Sequence, residues 1–189
     1  NFVTSSPATV DLQQFMQLYR YNPVRMVREV FGEEPDDWQV EVLDAYARGD
    51  RRISIRSAHG VGKTAVVSWM AAHHILVCYP QKTAVTAPSS PRLWDAFWAE
   101  LLHWIRRLPV ELQELLNCKA DKIELKSAPE SSFVTARTSR QDQPEALQGI
   151  HSDFVLLIVD EASGVPERIF EAAAGSLAAT DAEGAATDG

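Results

Sequence analysis

The segment Ser57-Ala58-His59-Gly60-Val61-Gly62-Lys63-Thr64 carries residues spaced to hold phosphate. Such loops follow the pattern Gly, four variable residues, then Gly-Lys-Ser/Thr. Only the first position departs from it, with Ser57 in place of glycine. Gly60 and Gly62 let the backbone turn tightly and aim its N–H groups at phosphate oxygens. A helix beginning near Gly62 adds the positive end of its dipole. Lys63 brings a point charge to the β- and γ-phosphates, and Thr64 offers a hydroxyl to Mg²⁺. The first glycine mainly eases entry into the loop, so a small serine serves there if no positive φ is needed. His59 is read as a spacer within the loop.

A second signal is Val155-Leu-Leu-Ile-Val-Asp160-Glu161-Ala162, which sets two carboxylates at the C-terminal end of a continuous apolar strand. In open α/β sheets that end faces the ligand crevice. Asp160 is placed to hold the hydration shell of Mg²⁺ alongside Thr64. Glu161 can orient a water and take its proton. The Asp-Glu pair points to hydrolysis rather than phosphate transfer to a small metabolite. GTPase chemistry is disfavoured. Asn117-Cys-Lys119-Ala-Asp121 misses the guanine-reading Asn-Lys-x-Asp spacing by one, and Ser163 stands where a glycine would follow Asp160.

These residues need elements to position them, and the sequence supplies a strand–helix alternation. NPVRMVREVFG reads as a helix with Asn22 as cap, Pro23 at the first helical position and Gly32 at the end. The next helix is capped by Asp36 or Asp37, carries an apolar stripe of Trp38, Val40, Leu43 and Tyr46, and stops at Gly49. RRISIRS (51–57) reads as a short strand and residues 62–79 as a long buried helix. KTAVTAP is another strand. Leu93, Phe97, Leu101, Trp104 and Leu108 then fall at helical spacing. KIELKS and SSFVTART read as a hairpin around APES, DFVLLIVDEA as a strand buried on both faces, and VPERIFEAAAG as a helix. The fold class expected is α/β, a mostly parallel central sheet flanked by helices with antiparallel additions. One domain over 1–189 is the simplest reading, with 1–10 and about 178–189 expected to be flexible.

The chain has 189 residues, 46% of them hydrophobic and 23% charged, ordinary for a globular fold. Cys78 and Cys118 form no CxxC or Cys/His spacing, so neither zinc nor a disulfide framework is expected, which suits a reducing cytoplasm. No apolar run is long enough for a membrane span. The net charge of −8 argues against a nucleic-acid-coating protein. The charge is uneven, however, with Arg48, Arg51, Arg52, Arg56 and Lys63 close together, so a local basic site remains open.

With both motifs placed, the chain resembles the ATPase domain of phage large terminases, the motors that package viral DNA. The resemblance runs from about Trp38 onward. DDWQ is similar to an adenine-reading glutamine motif, in which Gln39 would contact the base and Trp38 pack nearby. RRISIRSAHGVGKT resembles the family's deviant phosphate loop, where the first glycine is often missing. TAVTAPSSPRLWDAFWAEL and EALQGIHSDFVLLIVDEAS resemble the segments around the next strand and the acidic strand. The resemblance implies a P-loop NTPase of the ASCE/RecA-like type that uses ATP and Mg²⁺. Its partners would be double-stranded DNA, further copies in a homo-oligomeric ring, a portal and a small terminase subunit, without a membrane and in the host cytoplasm. It also implies an arginine finger, either Arg56 within the subunit or Arg137 or Arg140 acting on a neighbour. The family's nuclease domain and the coupling strand expected after the acidic pair are not seen in the sequence. The competing readings are a helicase-like P-loop ATPase fragment and a nucleotide-binding module that does not hydrolyse.

The remaining residues that could carry chemistry have plainer readings. His73 and His74 fall in the apolar helix and are expected to be packed rather than ligating. Trp94, Phe97, Trp98 and Trp104 are read as core rather than base-stacking residues. Arg106 and Arg107 at that helix's end are as easily dipole partners as DNA contacts.

Overall fold

A computed structural model of the chain describes residues 12–56, 62–138, 150–162 and 171. Helix α1 (Leu12–Tyr19) leads into α2 (Pro23–Met26), which continues as a π-helical turn, Val27–Phe31. Asn22 caps α2 by accepting the Arg25 N–H at 3.2 Å, and Gly32 ends the run at φ 68°. Helix α3 (Asp37–Ala47) starts from Asp36, and Gly49 follows it at φ 80°. These are the caps and stops expected of the residue types.

Helix α4 (Lys63–Val77) is buried on all sides from Ser68 onward. The chain then reverses through residues 78–80 into strand β1 (Gln81–Ala87). A π-helical stretch, Arg92–Trp98, continues as α5 (Ala99–Arg106). The stripe Leu93, Phe97, Leu101, Trp104 and Leu108 is buried along its whole length. Trp104 stacks edge-on against Trp69 of α4 at 5.4 Å and tilts onto Phe31 at 5.2 Å, so the aromatic helix is core, as expected.

After the short helix α6 (Val110–Gln113) come β2 (Leu116–Cys118), β3 (Lys122–Leu125), β4 (Ser132–Thr138) and β5 (Phe154–Val159). The sheet order is β2-β3-β4-β1-β5. β1 runs parallel to both β4 and β5, with Gln81 level with Ser132 and Phe154. β3 pairs antiparallel with β4 and with β2, so the expected hairpin is present, extended by a strand the sequence does not reveal. Glu124 on β3 is nearly buried, and the Lys119 ammonium with Asn117 and Lys122 holds its carboxyl down at about 2.

Alternation divides the sheet's residues between two faces. Val85, Ala87, Val134, Ala136, Ile123 and Ile158 join the main core with α4 and α5. Ala84, Leu157 and Val159 form a smaller cluster on the opposite face. The strand expected at 51–57 is not in the sheet over its described residues 51–56. Ile53 and Ile55 still pack on the core. The correction is physical: alternating apolar residues report a half-buried extended segment, and burial alone supplies no ladder partner. The expected helix at VPERIFEAAAG lies almost wholly outside the described residues.

The two histidines of α4 are buried, and their partner is Tyr46 of α3. Its hydroxyl lies 2.9 Å from His73 Nδ1 and 3.0 Å from His74 Nδ1. His73 Nε2 donates to the Tyr19 carbonyl at 2.8 Å, since a carbonyl only accepts. Neutral His73 therefore accepts the Tyr46 proton at Nδ1, while His74 Nδ1 lies against the same hydroxyl. Burial pushes both imidazoles down to about 4. The unfolded chain binds these protons near 6.5, so stability is lost as pH falls from about 6.5 toward 4. The Glu124 contribution is lost only below about 4.5, where its unfolded carboxyl titrates. Denaturant titrations at pH 7 and pH 5 should differ by about 2 kcal/mol per histidine. Equal stability at the two pH values would show that these imidazoles are not held neutral by burial.

Candidate nucleotide-binding site

The start of α4 and the end of β5 share one end of the sheet. α4 has 15 residues and β1 has 7, spans of roughly 22 Å and 23 Å respectively. A short reversal joins them and α4 packs on β1 and β5, so Lys63 returns to the level of the C-terminal ends of the parallel strands. Asp160 stands at that end, its N–H donating to the Thr86 carbonyl at 2.9 Å and extending the β1–β5 ladder by one residue.

Gly62 caps α4 at φ 79°, ψ 18°, a left-handed conformation natural to glycine. Lys63 and Thr64 follow, both half-buried. Ser57, Ala58, His59, Gly60 and Val61 lie outside the described residues. Gln39 is buried, with 5% exposure, and both ends of its carboxamide are engaged. Its Oε1 accepts the Asp36 N–H at 2.9 Å, and its Nε2 donates to the Gly62 carbonyl at 3.1 Å. A Cβ on Gly62 would come within 2.8 Å of that Nε2 and 4.0 Å of Trp38 Cζ2. Trp38 and Gln39 are thus brought against the start of α4.

Asp160 is half-buried and Glu161 exposed. Glu161 has φ 52°, a left-handed conformation rare for a side-chain-bearing residue and frequent at functional sites. Its carboxylate forms an ion pair with Arg92, whose Nε is buried with no hydrogen-bond partner among the described residues. Arg92 is the residue that sequence reasoning missed. It opens the helix after β1, and only the pairing of β1 with β5 brings it to the acidic pair. Arg137 is exposed on β4, level with Thr86, which is itself level with Val159. It therefore stands two strands from the acidic pair, on the far side of β1. Arg56 is exposed at the end of its described segment, and Arg140 lies outside the described residues.

The donor set fits magnesium. Asp160 offers one carboxylate and Thr64 one hydroxyl, both hard oxygen ligands. Mg²⁺ characteristically takes one or two carboxylates and fills its remaining positions with waters and substrate phosphates.

The chain is 25% identical over 173 residues to the probable large terminase subunit of Enterobacteria phage P7. The match covers 89% of this chain and 35% of that protein, so the chain spans about a third of its relative's length. No protein-family profile matches it. Among solved structures, the large terminase ATPase domain of Thermus phage P74-26 superposes with a TM-score of 0.59 at 19% identity. A mutant of that domain gives 0.60 at 20% identity, and each comparison covers 84% of this chain and 66% of the other. The fold is that of a phage large terminase ATPase domain. The likeness to large terminases read from the sequence is thus met by a curated terminase and by terminase structures. Within that fold the sheet has a parallel β4-β1-β5 core with an antiparallel β2-β3 edge.

Gly62 and Gly49 offer a controlled comparison, since both have φ near 80° but nothing lies within 4 Å of a Cβ on Gly49. Gly49→Ala should lose about 1 kcal/mol from the left-handed backbone alone. Gly62→Ala should lose clearly more, because it also displaces Gln39. Thermal melts of the two variants measure the difference, and equal losses would mean that the Gln39 contact adds nothing.

Proposed function

We propose that this chain is the ATP-hydrolysing motor part of a phage large terminase subunit, driving double-stranded DNA into a procapsid in the host-cell cytoplasm. The observation that carries the reading is the agreement between the phage P7 terminase match along 89% of the chain and the terminase ATPase fold. The arrangement of α4 and β5 supports it. In this reading the loop from Ser57 to Thr64 wraps the triphosphate, with Lys63 on the β- and γ-phosphates. Thr64 and Asp160 would hold Mg²⁺, which when bound would neutralise phosphate charge. Glu161 orients the attacking water and accepts its proton, which requires the Arg92 ion pair to open, because a carboxylate neutralised by a guanidinium is a poor base. An arginine, Arg56 in the same subunit or Arg137 or Arg140 from a neighbour, stabilises charge on the transferring phosphoryl group. DNA would be gripped through its phosphates rather than its bases. Partners in this reading are further copies in a ring, a portal and a small terminase subunit.

Glu161→Gln separates the motor from a module that only binds nucleotide. It should keep ATP affinity and cut turnover by about 10²-fold or more. Lys63→Ala should abolish turnover, while Ser57→Gly should hold it within a few-fold. Unchanged turnover in Glu161→Gln would remove the hydrolytic reading. Among the arginines, the finger is the one whose alanine variant loses about 10³-fold or more. A trans finger also restores activity in mixtures with Lys63→Ala subunits, which a cis finger does not. If none of the three alanine variants loses that much, the finger lies elsewhere.

A further inference from the structure

The resemblance assigns Gln39 to the adenine base, yet in this structure its side chain holds the carbonyl of Gly62 at the start of α4. We propose that Gln39 is a positioning residue for the polyphosphate, fixing the peptide plane from which α4 faces its ligand whatever base is attached. The proposal rests on the nucleotide-binding reading above.

The geometry has three parts. Gln39 sits in the first turn of α3, and its Oε1 reaches back to accept the Asp36 N–H at 2.9 Å. That bond orients the carboxamide, so its nitrogen points at Gly62. The Gly62 carbonyl already accepts the Val66 N–H at 3.2 Å, the first bond of α4. Gln39 Nε2, at 3.1 Å, fills the oxygen's second lone pair. The Gly62 carbonyl and the Lys63 N–H belong to one planar peptide unit and point in opposite directions. Holding the carbonyl toward α3 and α4 therefore holds the Lys63 N–H outward, where a phosphate oxygen would lie. A Cβ on Gly62 would stand 2.8 Å from Nε2, so a larger residue there displaces this contact.

A base reader and a loop brace differ on ligands without adenine. Binding of ATP, GTP and inorganic tripolyphosphate, each with Mg²⁺, is measured by calorimetry for the native chain, Gln39→Glu and Gln39→Leu. Glutamate keeps the acceptor for Asp36 but sets an oxygen against the Gly62 carbonyl. Leucine keeps the bulk and removes both bonds, which covers the case in which the buried carboxylate does not fold. The brace predicts about fivefold weaker binding of all three ligands by the folded fraction of either variant. Weaker binding of ATP alone, with GTP and tripolyphosphate at native affinity, would make Gln39 a base reader and overturn the proposal. Loss of binding that only follows loss of folded protein in both variants would assign Gln39 to the core and also overturn it. A native chain that binds none of the three ligands refutes the nucleotide-binding reading itself, a result distinct from either.

Discussion

Direction is the constraint on which the candidate site depends. β4, β1 and β5 run parallel, so their C-terminal ends lie along one edge of the sheet. Parallel neighbours need crossovers, and the crossover's helix begins at one end of the sheet and finishes at the other. Because α4 returns directly into β1, its first turn must stand where β1 and β5 finish. Were β5 antiparallel to β1, Asp160 and Glu161 would sit at the opposite end, beyond reach of anything held by Lys63.

Placement at one end is useful only if the parts stay put, and the core provides for that. α4 is buried on all sides from Ser68 to Val77, and Trp69 locks it to α5 through Trp104. Tyr46 ties α3 to α4 through both histidines, and Gln39 ties the start of α3 to the cap of α4. Helix α4 is therefore fixed to α3 at both ends. The acidic end of β5 is held differently. A backbone bond to Thr86 continues the ladder through Asp160, after which Glu161 turns left-handed and meets Arg92. A partly exposed ion pair of this kind is weak, so that carboxylate is the group at the site most easily released.

Much of this was legible in the sequence because it is local. Continuous apolar runs marked α4 and β5, the caps at Asn22 and at Asp36 or Asp37 marked helix starts, and the stripe from Leu93 to Leu108 marked a core face. What was not legible is tertiary or very short. Three residues, Leu116–Cys118, carry too little pattern to announce β2. Ile53 and Ile55 alternate as a strand does, yet packing alone accounts for their burial. The Arg92–Glu161 pair joins residues distant in sequence through the β1–β5 pairing, and Tyr46 meets the histidines of α4 only once α3 docks. The loop residues 57–61 and Arg140 remain sequence readings.

The central claim, that Lys63 and the Asp160–Glu161 pair serve one nucleotide, is most directly tested by a crystal structure with magnesium and a non-hydrolysable ATP analogue. The account predicts Lys63 Nζ within about 3 Å of β- or γ-phosphate oxygens, Asp160 reaching the same metal directly or through one of its waters, and Glu161 turned from Arg92 toward the γ-phosphate. A nucleotide that touches the start of α4 while Asp160 and Glu161 face away from it, or one bound elsewhere on the molecule, would contradict the account.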